Sequence, residues 1–298
     1  MVKGGLLGFN DNTGKRVRIL GIMGSKRSAG DCAREDSINL ELLNIALKEA
    51  RKSGADVELL DLRDLRIGAC KECYSTCPAQ CRFNEETFQC DCYPFKEDAF
   101  LHNGEFISMK EAYDNLSRKD FFRIYNSKYA FKPGDDMWMV YRAMLEADGI
   151  IFSGYTCFYS RPALLQIMFS RLCALDGGVS ELWGDSKNLN NSINYAGRKN
   201  VKYKQRLYGK HAAFINVSKE GDSVSPDLMK ACTMMGMRII PFSVAYHVVW
   251  YGDKTHRGDK KKAMKDNYTI SMAKGIGKVM VQDVMNNSRV YGTYNSVV

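Results

Sequence analysis

The chain has 298 residues, 45% of them hydrophobic and 26% charged, close to the globular average, which argues against wholesale disorder, collagen and a membrane bundle. Its 43 basic and 34 acidic side chains leave a formal charge of +9, a balance that favours acidic partners such as phosphorylated cofactors or acidic electron carriers without choosing among them. No apolar run approaches the roughly 18 residues of a spanning helix, and the segment 1–8 is too short and too glycine-broken for a signal-peptide core, so a cytoplasmic protein with no membrane partner is expected.

Apolar runs of strand length alternate with helix-period segments along the chain. Val17–Met23 reads as a strand ending in Gly24-Ser25, and a helical pattern starts near Ser37 and is closed by Gly54. Val57–Leu60 is the next strand, followed by a cysteine-rich segment. Asp135 or Asp136 is placed to cap a helix through Met139, Val140, Met144 and Leu145, after which Gly149–Ser153 reads as a buried strand. Further helices are expected over 162–174, 226–235 and 260–285, with strands at 212–217 and 238–243. Such alternation implies a parallel sheet wrapped by helices. Segments 93–133 and 176–210 break the rhythm and read as insertions on one core domain covering 17–298, preceded by an extension over 1–16.

In open α/β sheets, ligands bind beyond the carboxyl ends of the strands where the strand order reverses. The first loop there, Gly24–Gly30 continuing to Ser37-Ile38-Asn39, couples small residues and hydroxyls to a helix N-terminus, whose free N–H groups favour a phosphate. It matches neither Gly-x-Gly-x-x-Gly nor Gly-x4-Gly-Lys-Ser/Thr, and the alternative reading is an ordinary flexible loop. Ten cysteines are present, and six of them (Cys70, Cys73, Cys77, Cys81, Cys90 and Cys92) lie in one short stretch. In a chain without a secretory signal, such clustering reads as metal binding or redox chemistry rather than a disulfide framework. Cys70, Cys73 and Cys77 are spaced to wrap one compact centre, and a cubane cluster needs four thiolates. Zinc held by four thiolates is the main alternative, and free thiols or a redox disulfide remain open. Cys32, Cys157, Cys173 and Cys232 are isolated and read as packing residues.

Gly24-Ser25-Lys26-Arg27 with Ser37-x-Asn39 resembles the phosphate loop of flavodoxin-like NADPH-dependent FMN reductases, with extra residues between its halves. Asp135-Asp136-Met137, Ala147–Ile151 and Ser170-Arg171 resemble further landmarks of that family in the same order. Clustered cysteines after the second strand are similar to its iron-sulfur flavoprotein branch. The resemblance implies a flavodoxin-like, doubly wound, five-stranded parallel sheet carrying a cysteine-rich loop over 68–92. It also implies noncovalent FMN, with Ser25, Lys26, Arg27, Ser28, Ser37 and Asn39 at the phosphate. Tyr155, Thr156, Cys157, Phe158, Tyr159 and Ser160 would border the ring, though Tyr155 and Tyr159 stand where relatives carry proline and glycine. Asn216, Ser218 and Gly221 belong to a third loop that closes over the ring in relatives. A 4Fe-4S cluster on Cys70, Cys73, Cys77 and Cys81 is implied, with Cys90 or Cys92 as alternative fourth ligands.

Together these features predict an oxidoreductase or electron-transfer flavoprotein joining two-electron flavin chemistry to one-electron cluster chemistry. The donor is NAD(P)H or a ferredoxin-type or small-molecule redox partner, and homo-oligomers are expected from the resemblance. A plain FMN reductase without a cluster, or a zinc-stabilised module that recognises a macromolecule, is the alternative. No acid/base pair stands out, and His102, His211, His247 and His256 are unpaired in sequence. The basic runs at 198–210 and 254–265 read as solvated surface or a docking face, and nucleic acid is not expected because no recognised module accompanies them. Gly275-x-Gly277 has no preceding strand and is not a nucleotide fingerprint.

Overall fold

The computed structural model describes residues 16–31, 34–72, 83–84, 88–90, 92–93, 96–103, 105–117, 119–120, 123, 131–132, 135–176, 205–219, 221–248 and 259–291. In chain order the elements are β1 (Arg18–Met23), α1 (Ile38–Lys52), β2 (Asp56–Asp61), β3 (Phe83–Asn84), β4 (Gln89–Cys90), β5 (Lys96–His102), β6 (Glu105–Ser108), α2 (Met109–Asn115) and β7 (Phe131–Lys132). They continue with α3 (Met137–Glu146), β8 (Gly149–Tyr155), α4 (Ala163–Arg171), β9 (His211–Ser218), α5 (Val224–Met234), β10 (Arg238–Val248), α6 (Asp259–Ala263) and α7 (Asn267–Tyr291). The chain divides into two compact units. The first gathers Met1–Leu65, Ala143–Gln166 and Leu207–Val298, and the second gathers Arg66–Arg142 and Ile167–Arg206.

The first unit is built on a five-stranded sheet of order β10-β9-β8-β1-β2, with every neighbouring pair parallel. β8 and β9 are central and buried along almost their whole length, which is why they read in sequence as continuous apolar runs rather than alternating ones. On one face Ile19, Met23, Ile151, Ala213, Ile215 and Val217 pack with α1 and α7. Side chains alternate across a strand, so Phe152 and Phe214 lie on the opposite face, their rings stacked with centroids 6.0 Å apart.

The buried positions of α1, Ile38, Leu42, Leu43, Ala46, Leu47 and Ala50, form the stripe that a 3.6-residue period dictates. α7 meets it closely: a Cβ on Gly277 would stand 2.1 Å from the Ala46 carbonyl oxygen. Gly277 therefore serves helix packing, whereas a Cβ on Gly275 would meet the Phe242 ring at an ordinary 3.8 Å. The final helix, expected as one segment over 260–285, is two helices. Asp266 divides them because its carboxylate accepts the Tyr268 and Thr269 amides at 3.0 and 3.4 Å, satisfying N–H groups that an uninterrupted helix would have used. No helix among the described residues is long and apolar enough to cross a membrane.

The second unit contains the whole cysteine segment, the stretch 93–133 and most of the stretch 176–210. Within 93–133, β5 pairs antiparallel with β6 and with β7 and α2 follows β6 directly, so regular structure exists where the sequence shows no clean period. β3 and β4 form a short antiparallel ladder with Phe83 opposite Cys90. Of the second stretch, 177–204 lies outside the described residues.

Candidate functional site

The strand order places the reversal between β1 and β8, and the loops that follow these two strands sit at the carboxyl edge where an open α/β sheet binds ligands. Gly24 starts the first loop. A Cβ there would stand 2.1 Å from Leu165 Cγ, and one on Gly154 would stand 2.6 Å from Leu165 Cδ1. The two glycines therefore admit one leucine of α4 beneath the site.

Ser153 at the end of β8 ties the loop's start to the helix that ends it. Its carbonyl accepts the Gly24 amide at 2.8 Å, and its hydroxyl donates to the Asn39 carbonyl at 3.1 Å. Between these points, Ser25 is buried and its Oγ accepts the Arg27 amide at 3.4 Å. Lys26 is exposed. The Ser28 amide donates to Asp31 Oδ2 at 3.2 Å, shaping a turn, and the Arg27 guanidinium stands 4.0 Å from both Asp31 and Glu35. Ser37 occupies the N-cap of α1 but makes no side-chain cap. Its Oγ, Asn39 Oδ1 and Arg27 Nε are buried without a hydrogen-bond partner. A buried hydroxyl and a buried guanidinium N–H left unpaired are costly unless an acceptor meets them, and the Ser37 hydroxyl sits at a helix N-terminus that favours an anion.

A residue the sequence reading passed over fastens this loop. Arg63, just after β2, donates Nη1 to the Arg27 carbonyl at 2.7 Å and to Asp36 Oδ1 at 2.9 Å. Its Nε and Nη2 donate to Asp61 at 3.0 and 2.6 Å. The Asp61 hydrogen bond, opposed by burial, holds the Arg63 guanidinium protonated well above its ordinary range. Burial pushes the Asp36 carboxyl up, but the Ser37 amide, Arg63 and Lys260 outweigh it and leave that group below the usual value. The sequence did hold a signal: Asp61-Leu62-Arg63-Asp64 is a charged run at a strand's carboxyl end.

After β8, Cys157 and Ser160 exchange both backbone hydrogen bonds, at 2.9 and 3.0 Å, around Phe158 and Tyr159 with φ of 47° and 59°. Two consecutive left-handed residues make this a type I′ turn. Phe158 and Tyr159 are 84% and 66% exposed, two flat rings held out at the carboxyl edge. Cys157 is also exposed, which corrects its reading as a packing residue. Tyr155 is half-buried and Ser160 exposed. Thr156 is buried and donates to the Gly221 carbonyl at 3.2 Å, and Asn216 donates to Thr156 at 3.0 Å and to Asp222 at 2.6 Å. Thr156 and Asn216 thus pin the second loop to the third, while Ser218 is buried at the end of β9. Arg161, just past the turn, pairs with Asp227 in the first turn of α5 and holds that carboxyl below its usual value.

In the second unit Arg171 collects the described part of the cysteine segment. It is nearly fully buried and pairs with Asp135 at 2.6 Å. It also donates to the Gly68 carbonyl at 2.9 Å and to Cys90 Sγ at 3.3 Å, and lies 3.9 Å over the Tyr93 ring. Burial opposes its charge, but the Asp135 hydrogen bond, Tyr141 and Cys90 outweigh that and keep it firmly protonated. Asp135 Oδ1 accepts the Met137 amide at 3.1 Å, so it caps α3 as its sequence position predicts, and it neutralises Arg171 besides. Cys70 and Cys92 are half-buried. Cys73, Cys77 and Cys81 lie outside the described residues, and among the described residues no group of three or more ligand-type side chains forms a metal site.

Among known families, the model of the NADPH-dependent FMN reductases matches over residues 17–91. The match spans β1, the loop that follows, α1, β2 and Arg63, and supports a flavin-dependent oxidoreductase. No curated protein matches the chain. Among solved structures, RosB with a bound intermediate, 8-demethyl-8-formylriboflavin-5′-phosphate, aligns at 12% identity over 92% of this chain and 81% of its own, with a TM-score of 0.55. A flavone reductase aligns at 16% identity over 91% of this chain and 64% of its own, with a TM-score of 0.49. An azoreductase from Bacillus anthracis str. Sterne aligns at 12% identity over 88% and 99%, with a TM-score of 0.42. At 12% identity the likeness to RosB is one of fold, and the sheet order β2-β1-β8-β9-β10 is the flavodoxin-like one.

Proposed function

We propose that the protein is an FMN-dependent oxidoreductase whose cradle over residues 25–39 holds the flavin phosphate and whose turn over 155–160 borders the ring. The observation that carries this reading is the pair of buried, unpartnered donors, the Ser37 hydroxyl at the N-cap of α1 and Arg27 Nε, inside a segment matching FMN reductases. Ser37 can donate to a phosphate oxygen, as can the Asn39 amide, and Arg27 supplies the nearest guanidinium. Phe158 and Tyr159 offer flat surface to an aromatic ring. When bound, the flavin accepts a hydride as two electrons and can release them singly, so no acid/base pair from the chain is required. NAD(P)H is the donor we favour, with a ferredoxin-type protein as the one-electron partner, in a cytoplasmic homo-oligomer.

The finer part of the proposal is a 4Fe-4S cluster on Cys70, Cys73, Cys77 and a fourth thiolate from Cys81, Cys90 or Cys92. Thiol spacing supports it, and so does the Arg171 guanidinium beside Cys90, since a cation stabilises thiolate and the net negative charge of such a centre. A plain FMN reductase is the second reading, favoured by the name of the matching family. Anaerobic purification followed by absorbance, iron and labile-sulfide analysis separates them. Flavin with iron and sulfide is the expected result, and flavin alone leaves the plain reductase. A colourless, zinc-loaded protein overturns both.

A further inference from the structure

The cradle of the proposed FMN site is a long loop, and the side-chain hydrogen bonds described within it are local: Arg27 to Ser25, Ser28 to Asp31, Ser37 to Asp36. Arg63 spans the loop. It is anchored on β2 by its fork with Asp61, and its remaining Nη1 grips the Arg27 carbonyl on one side and the Asp36 carboxylate on the other. Asp36 in turn accepts the Ser37 amide at 2.7 Å, so the grip passes directly to the N-cap residue whose hydroxyl is unpartnered.

We propose that Arg63 is the residue that sets phosphate selectivity, fastening Arg27 to Asp36 so that the cradle matches a phosphate monoester and the protein prefers FMN to riboflavin. Arg63 acts as a positioning residue, because its guanidinium is already occupied by Asp61, Asp36 and a carbonyl. This rests on the FMN reading above and deepens it.

Charge and geometry make different predictions in two variants. Arg63→Lys keeps the positive charge but has one compact ammonium where the planar fork served three acceptors. Asp36→Ala removes a negative charge near the phosphate, so electrostatics alone tightens FMN. Positioning loosens it in both. Full-length protein stripped of flavin is titrated with FMN and with riboflavin, and Kd is read from the quenching of flavin fluorescence. The expected result is an FMN Kd at least tenfold weaker in each variant, with the riboflavin Kd within threefold of the parent. The riboflavin value also shows that the variant is folded. An FMN Kd unchanged or tighter in either variant, or riboflavin weakened by the same factor as FMN, overturns the role of Arg63. A parent protein that binds the two flavins equally removes the phosphate site itself, a result distinct from failure of the variants.

Discussion

Phe158 and Tyr159 are the residues whose identity is hardest to explain by stability. A type I′ turn needs positive φ at both central positions, where Asn-Gly is the preferred pair and bulky side chains are disfavoured. Each aromatic residue therefore carries a backbone cost of roughly 1 kcal/mol, and with their rings mostly exposed little burial offsets it. Strain kept at a ligand-binding edge points to use by the ligand. The double substitution Phe158→Asn with Tyr159→Gly, which installs the preferred pair, is expected to stabilise the flavin-free protein by about 1–2 kcal/mol in urea unfolding. The same change is expected to weaken FMN several-fold by fluorescence titration. Unchanged FMN affinity would remove the turn from the ring site. The sequence showed an aromatic loop after a buried strand, but the turn type depends on backbone angles that two adjacent aromatics do not advertise.

The elements legible in sequence are those whose environment is uniform. β8 and β9 are covered on both faces and α1 has one apolar stripe, so period and composition determine them. Interrupted elements were less legible: Asp266 ends one helix and caps the next through contacts that hydropathy does not register. At Asp135 the cap was readable from position, whereas its second task as counter-ion to Arg171 depends on residues distant in sequence. Removing one partner of a buried pair leaves an uncompensated charge, at about 3–5 kcal/mol. Asp135→Ala is therefore expected to destabilise the protein by that amount in urea unfolding, and Asp135→Asn, which can still cap α3, by less. Equal losses would assign the whole effect to the lost counter-ion of Arg171 and none to the cap. At the start of β9, His211 offers a pH-dependent counterpart. Burial lowers its pKa, against the pull of Asp283, whose carboxylate stands 3.3 Å from Nε2. The unfolded chain then takes up the proton first, so the contribution is kept above pH about 6.5 and lost as pH falls from there toward the lower folded value. His211→Gln should flatten the fall in urea midpoint over that window, and an unchanged slope would place the pH sensitivity elsewhere.

At the scale of the whole molecule, the residues proposed for the flavin and those proposed for the cluster belong to different units. Ser25, Arg27, Ser37, Asn39, the 155–160 turn and Arg63 all lie in the first unit, and Cys70 to Cys92 all lie in the second. The strand alternation made the first unit readable because its segments, although scattered along the chain, each carry a clean period. In sequence the second reads as a loop and two insertions, because short antiparallel strands and a charge-paired interior leave weak periodic signals. Separate residues for the two cofactors imply separable losses. Cys73→Ser or Cys77→Ser is expected to abolish iron and labile sulfide while flavin content and the FMN Kd stay at the parent values. An Asn39→Leu variant is expected to lose flavin and keep iron. Both are read by metal analysis and absorbance after anaerobic purification. If a cysteine variant sheds flavin and iron together, the cluster is a structural requirement for the flavin site, and the role of the second unit is to build that site instead of exchanging electrons with it.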